Sequence, residues 1–341
     1  MESVHWVDGR RFVYPFFMER NLKIVVCGAG GFIGSHLVKK LKEEDHYVIG
    51  IDLKDPEYLS YADEFYNIDL SDSWLLKQYY RLFVGVDVVY QLAADMGGAE
   101  YIFVGENDLD IMTHSLMINI NVINLIKKLN IPKVFYSSSA CVYAEHNQQT
   151  ISEIDTRESS AYPAAPDSEY GWEKLMSERL YKTLERVNGT EVRIARFHNI
   201  FGPYSEYDSG REKAPAAICR KVASASCEIE MFGDGEQARS FLYIDDCLGA
   251  VDSLMKSSHS DPINIGSERT ITMNEFTDLV INISKKNIEV KHIDGPVGVP
   301  ARTSDNNQFN KLIGYKYQTS LEEGIKKLYH WIYNEVHSET I

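Results

Sequence analysis

The stretch from Leu22 to Asp45, LKIVVCGAGGFIGSHLVKKLKEED, constrains the fold of this chain more than any other. Ile24, Val25 and Val26 form a short apolar run suited to a buried strand, and FIGSHLVKKL repeats its apolar residues at helical spacing. Between them Gly28, Gly31 and Gly34 recur at every third position, with Gly30 beside them. A tight turn without Cβ atoms lets backbone N–H groups and a helix N-terminus approach a pyrophosphate. Asp52 ends a second apolar run, YVIGID, eighteen residues after Gly34. A carboxylate there accepts hydrogen bonds from ribose hydroxyls and repels a 2′-phosphate, so NAD is expected rather than NADP. The expected cofactor contacts are Gly28, Gly30, Gly31, Phe32, Ile33, Gly34, Asp52 and Ala93, with Tyr170 and Lys174 further along the chain. Asp69, which ends FYNID, is placed either to meet the adenine or to cap the helix that begins in SDSWLLKQ.

Four more runs read as strands: FYNID, VDVVYQLAA, IPKVFYSSS and TEVRIARFHN. Helical patterns fall between them, at roughly 110–128 and 170–187. Strands alternating with helices define an α/β fold, a Rossmann-like doubly wound parallel sheet. After Asn199 the rhythm changes to loop-rich stretches and shorter helices, which read as a smaller α/β lobe over the carboxyl edge of the sheet. Residues 21–198 and about 240–262 are assigned to the NAD-binding domain, and about 199–239 and 263–341 to a substrate-binding lobe. Residues 1–20 form an aromatic-rich extension expected to drape over a neighbouring surface.

At 341 residues the chain exceeds what one core usually serves, which also favours two lobes. Its five cysteines include no CxxC pair and no histidine at ligand spacing, so neither a disulfide framework nor a metal site is expected. Free thiols point to a reducing compartment, the cytoplasm. Cys27, Cys219, Cys227 and Cys247 read as ordinary packing or loop residues. A net charge of −15 argues against a nucleic-acid partner. No run of eighteen apolar residues marks a membrane span, and the first twenty residues lack the pattern of a secretory signal.

Tyr170 and Lys174, in YGWEK, stand four apart on one face of a helix. A phenol of pKa about 10 is a poor base unless positive charge stands beside it. A lysine ammonium and a nicotinamide ring would supply that charge, and Ser139 could add a hydroxyl from the end of the fifth strand.

The segments GAGGFIGSH, LAADMGG, SSSACVYAE and YGWEK resemble the extended short-chain dehydrogenase/reductase family of nucleotide-sugar enzymes. The resemblance implies that Ser139, Tyr170 and Lys174 remove a hydroxyl proton while NAD takes the hydride from sugar C4. It also implies that the cofactor is tightly held and regenerated in each cycle. Related 4,6-dehydratases carry an Asp-Glu pair before the Val-Tyr of this motif, where the present chain has Ala140 and Cys141.

From Leu22 almost to its end the chain is similar to the GDP-mannose 3′,5′-epimerase family, most densely in LAADMGG, SSSACVY, RFHNIFGP, GREKAPAAICRK, GDGEQARSF, PINIGS and SDNN. A C4 ketone acidifies the hydrogens on C3 and C5, so one base–acid pair can invert both centres. The resemblance implies that Cys141 is the base and Lys213 the acid, acting on GDP-mannose to give GDP-L-galactose and GDP-L-gulose. A thiolate suits the first role, since its pKa of about 8.5 responds readily to neighbouring positive charge. By the same matching Gly97 leaves space for the sugar, and Ser139, Ala140 and Cys141 line it. Asn199, Glu212, Lys213, Ala214 and Ser240 complete the pocket, while Lys221, Gln237, Arg239 and Arg302 meet the nucleotide diphosphate. The cations among them, Lys221, Arg239 and Arg302, would gather anion-binding charge in an acidic chain. The family's dimer is built on helices like those near 110–128 and 170–187, so a homodimer is implied. Glu100, Ala144 and the N-terminal extension depart from the family pattern. The residues themselves leave open another sugar, inversion at one centre only, a 4-epimerase or a net oxidoreductase.

Overall fold

The computed structural model describes residues 21–56, 58–59, 61–295 and 298–338, together with the backbone of Val4–Val7 and Arg10–Val13, which pair as an antiparallel hairpin. Seven strands make one sheet: β1 (Lys23–Cys27), β2 (Tyr47–Asp52), β3 (Glu64–Asn67), β4 (Val88–Gln91), β5 (Lys133–Ser139), β6 (Glu191–Phe197) and β7 (Ile263–Ile265). Their order is β7-β6-β5-β4-β1-β2-β3, and every neighbouring pair is parallel. A sheet covered on both faces needs apolar residues at successive positions, which is why β1 reads as Ile24-Val25-Val26 without alternation. Ile24 and Val26 pack with Leu37 and Val38 on one side, and Val25 and Cys27 with Val122 and Ile126 on the other.

The order reverses direction between β1 and β4, and a crevice opens at the carboxyl ends of such strands. β7 was not among the expected strands, because three residues are too few to show a period. It lies in the main sheet, so the lobe boundary expected at residue 263 falls at the start of a sheet strand.

Helix α1 (Phe32–Glu43) follows β1. The helices expected near 110–128 and 170–187 are α2 (Asp108–Leu129) and α3 (Glu169–Asn188), packed against each other. α2 is long and apolar enough, by length and composition, to cross a membrane. Its buried polar residues are nevertheless satisfied inside the chain: Asn119 donates to Glu173 at 2.8 Å and Asn121 to the Leu70 carbonyl at 3.0 Å. That is the behaviour of a core helix. The smaller lobe joins α4 (Ala214–Ser224) to the helices Met273–Ser284 and Leu321–Ser338 through Val222, Phe276, Ile325 and Leu328. In it the strands Ala238–Ser240 and Ala301–Arg302 run side by side in parallel.

Candidate active site

Gly28 has φ of 84°, in the left-handed region, and a Cβ on it would lie 2.8 Å from the Ala93 nitrogen. A Cβ on Gly34 would strike the Gly28 carbonyl oxygen at 1.9 Å. Both positions require glycine because the chain folds back against itself and against the end of β4. Asp52 braces the turn, its Oδ2 accepting from the Gly30 N–H at 2.9 Å and its Oδ1 from the Leu53 N–H at 2.7 Å. A carboxylate offers about four acceptor sites, so capacity for ribose hydroxyls remains. Gly30, Gly31, Phe32 and Ser35 line a cavity faced by Lys54, Tyr58, Tyr204 and Glu206, while Ile33 packs against the core. This cradle fits a dinucleotide. Asp69 does not cap the following helix, Ser73–Tyr79: Asp72 does, accepting from Trp74 and Leu75. Oδ1 of Asp69 instead accepts from the N–H and hydroxyl of Ser71 at 2.8 and 2.6 Å.

Ser139 ends β5, and Tyr170 and Lys174 occupy the first turns of α3. Ser168 caps α3 by accepting from the Gly171 N–H at 3.2 Å. A Cβ on Gly171 would lie 2.1 Å from the Cys141 carbonyl oxygen, so the helix rests directly on the turn after β5. That contact brings Tyr170 to Ser139 and Cys141. The buried Lys174 donates to the Ser137 carbonyl at 3.1 Å and lies 5.5 Å from the centre of the Tyr170 ring. Burial pushes the Tyr170 phenol above its usual range; Cys141 and Glu173 add to this, and a hydrogen bond with Ser139 opposes it. Burial lowers the Lys174 ammonium, with Glu173 and Cys141 acting the other way. A phenol in this setting ionises only with further positive charge nearby, which the nicotinamide ring of NAD carries.

Cys141 sits in a single helical turn, Ala140–Val142, and its N–H donates to the Ser139 hydroxyl at 3.2 Å. Its Sγ accepts from Nη1 of Arg302 at 3.3 Å. Arg302 was expected at the nucleotide diphosphate; instead it donates to Cys141, to Gln148 Oε1 at 2.5 Å and to the Asp167 carboxylate. A buried guanidinium needs such partners, because taking a charge from water is costly unless it is paired. Burial pushes the Cys141 thiol up and Asp167 adds to this, while Arg302 and the Ser139 hydrogen bond pull it down. Asp167 and Gln148 escaped the sequence reading, although Asp167 immediately precedes the cap of the YGWEK helix. Ala140 turns into a small apolar cluster with Val142, Tyr143 and Leu175. All five cysteines are free thiols.

Lys213 is the N-cap of α4. It is open to the water of the cleft yet ringed by protein, and that surrounding holds its ammonium below the usual lysine range; Cys141 and Cys247 oppose the shift and Lys174 adds to it. Among the described residues its Nζ has no hydrogen-bond partner. Ala214 opens α4, and Glu212 pairs with Arg220 at 3.2 Å through one oxygen while the other is buried without a partner. Asn199, at φ 45°, donates to the Ser240 carbonyl at 2.9 Å. The Ser240 hydroxyl and Gln237 Oε1 are also buried without partners. Among the described residues each such atom costs about 1–3 kcal/mol, and the pair at Gln237 and Ser240, three residues apart, favours a polar ligand. Arg239 and Arg302 stand in register on adjacent strands, and burial together with Arg302 lowers the Arg239 pKa to about 10. Lys221 points elsewhere, donating to the Glu230 carbonyl at 2.8 Å and lying over the Phe232 ring. At Gly97 a Cβ would meet Tyr101 at 2.7 Å, so the missing side chain makes room for Tyr101 rather than for a sugar.

Residues 24–266 match the NAD dependent epimerase/dehydratase family, and the chain belongs to that family. Its fold and its cradle are those of an NAD-dependent enzyme acting on nucleotide sugars. Among curated proteins it is 42% identical over 327 residues to GDP-mannose 3,5-epimerase of Arabidopsis thaliana, covering 95% of this chain and 85% of the relative. GDP-mannose 3,5-epimerase 1 of Oryza sativa subsp. japonica is 39% identical over the same shares of both chains. Among solved structures, UDP-glucose 4-epimerase of Thermotoga maritima superposes with a TM-score of 0.84 at 24% identity, covering 93% of this chain and 100% of that one.

Proposed function

We propose that this enzyme epimerises GDP-mannose at C3 and C5 through a C4-keto sugar, giving GDP-L-galactose and GDP-L-gulose. The observation that carries the reading is Cys141: a thiol bonded to a guanidinium, beside Tyr170 and within electrostatic reach of the Lys213 ammonium. NAD, when bound, would supply the hydride acceptor for sugar C4 and, after inversion, the same hydride back to C4, with Tyr170 returning its proton to the C4 oxygen. Tyr170, steered by Lys174 and Ser139, takes the C4 hydroxyl proton. The Cys141 thiolate then removes the proton from C5 or C3, each acidified by the neighbouring ketone, and Lys213 delivers a proton to the same carbon. Ala140 and Cys141 occupy the positions where a dehydratase needs its carboxyl pair, so elimination of water is not served. Asp52 holds the ribose, and Arg239, Gln237 and Ser240 serve the nucleotide side of the substrate.

GDP-mannose in deuterated water, followed by NMR, tests this: deuterium at C3 and C5 is the expected result. Label at one centre would narrow the reaction to that centre, and no exchange with any GDP-sugar would overturn the reading. Cys141→Ala should still develop absorbance at 340 nm with substrate yet lose ring-proton exchange. We also place the enzyme in the cytoplasm, on its free thiols, and read it as a homodimer. Met117 on α2 with Trp172 and Met176 on α3 are large exposed apolar residues on two adjacent helices, and they support that assembly.

A further inference from the structure

The segment that leads into Lys213 is fastened across the cleft to the loop after β4. Arg211 donates to the Tyr101 hydroxyl at 3.0 Å, and its guanidinium lies 4.0 Å over the Tyr101 ring. Nη1 of Arg211 is 3.4 Å from Oδ1 of Asp95, which also accepts from the Tyr101 hydroxyl at 2.8 Å. Asp95 is itself tied to α2, through its N–H to the Ser115 hydroxyl at 2.9 Å and through Oδ2 to His114 at 3.2 Å. The backbones are joined as well: the Gly98 N–H donates to the Arg211 carbonyl at 2.9 Å. A Cβ on Gly98 would stand 2.3 Å from the Glu212 carbonyl oxygen, so only glycine allows this approach. On the other side of Lys213, α4 begins at once, the Lys213 carbonyl accepting from Ala217 at 3.0 Å. The lysine is therefore held between two fixed points.

The Arg211–Asp95 pair is part-exposed, at 47% and 16% of the side chains. Pairs of that kind contribute about 0–1 kcal/mol, too little for the fold to depend on them. Their consequence is geometric, since they decide where the residue two positions later stands.

We propose that Arg211, with Tyr101 and Asp95, is the device that positions Lys213, clasping the loop ahead of the lysine so that its ammonium is presented to the reacting sugar carbon. The inference rests on Lys213 as the acid of the proposed reaction. Arg211, Tyr101 and Asp95 are positioning residues; none exchanges a proton with the sugar.

The experiment uses the full chain with bound NAD and the variants Arg211→Met, Arg211→Lys and Tyr101→Phe. Two rates are read with GDP-mannose: the rise in absorbance at 340 nm, which reports oxidation at C4, and epimer formation by NMR. Epimer formation in Arg211→Met should fall about 10- to 100-fold, with the absorbance step unchanged and KM within about twofold. Arg211→Lys should recover part of the loss, and Tyr101→Phe, which keeps the ring under the guanidinium, should lose least. Equal loss of both rates, or no loss, would overturn the proposal. A second readout needs no sugar: trinitrobenzenesulfonate labelling of Lys213, followed by mass spectrometry across pH. Released from the clasp, Lys213 should label with a pKa moved up towards that of an ordinary lysine; an unchanged profile means that the clasp does not hold it. If the wild type exchanges no ring protons while the labelling profile does move, the acid role has failed and the clasp has not.

Discussion

In the proposed reaction Cys141 and Lys213 must carry opposite charges at the same moment, the thiol ionised and the amine protonated. Burial raises the first and the protein ringing the water-exposed lysine lowers the second, so their titrations are pushed towards each other. The pH range in which both active forms coexist is thereby narrowed. The expected kcat/KM for epimerisation is a narrow bell, rising as the thiol ionises and falling as the ammonium is lost. Lys213→Arg keeps its charge to far higher pH, so its residual activity should lack the alkaline limb. Arg302→Met removes a cation 3.3 Å from the sulfur and leaves Asp167 opposing ionisation. Its rising limb should move to higher pH by about one unit or more, with a loss of about tenfold at neutral pH. A rising limb left in place would show that Arg302 does not act on the thiol.

α3 is where two chemical steps of the proposed reaction are brought together. Its N-terminus supplies Tyr170 and Lys174, and its missing Cβ at Gly171 lets it lie against the turn that carries Cys141. Gly171→Ala should lift the helix off that turn. Circular dichroism should show an intact fold while kcat drops about 100-fold, the cost of misplacing reacting groups by an ångström. Deeper along the same helix Glu178 binds Arg196 of β6 through both oxygens at 2.8 Å and accepts from Ser138 of β5 at 2.6 Å. Arg196 also donates to the Tyr143 hydroxyl at 3.1 Å. This buried pair locks helix, strand and the turn that carries Cys141 into one unit. Glu178→Ala should lose about 3–5 kcal/mol of stability in urea unfolding, because it leaves a guanidinium buried and uncompensated. The helix itself was legible from its apolar spacing. The contact of Gly171 with Cys141 was not, since no local pattern says which glycine faces another element and which merely faces water.

In the proposed site NAD would span the turn after β1, the end of β4 and the start of α3, so binding it would tie together segments far apart in the chain. Protein stripped of NAD should unfold at a lower temperature than the same protein with NAD restored. At a hundred times Kd the added stability is about 2.7 kcal/mol, or several degrees in a chain of this size. NADP should give a smaller shift, because the proposed ribose ligand, Asp52, would repel its 2′-phosphate. Equal shifts with the two would remove Asp52 from the ribose site. Exposed apolar residues on α2 and α3 make a second whole-molecule expectation, a sedimentation velocity corresponding to a dimer.

The glycine turn, six of the seven parallel strands and the Tyr170–Lys174 face all follow from patterns confined to a few dozen neighbouring residues. Such features are local: a β-strand, a helical face or a turn without Cβ atoms is dictated by adjacent side chains. The same holds for the chemical singularity of Cys141, which stands out against the hydroxyl residues around it. Its partner did not stand out. Arg302 lies 161 residues away and reaches the thiol only because the strand Ala301–Arg302 joins the ladder beside Arg239. Asp167, Gln148 and the clasp on Arg211 are of the same kind, as is β7, whose three residues become a strand only against β6. Charge and hydrogen bonding act through space, so the folded chain alone determines which groups share a site.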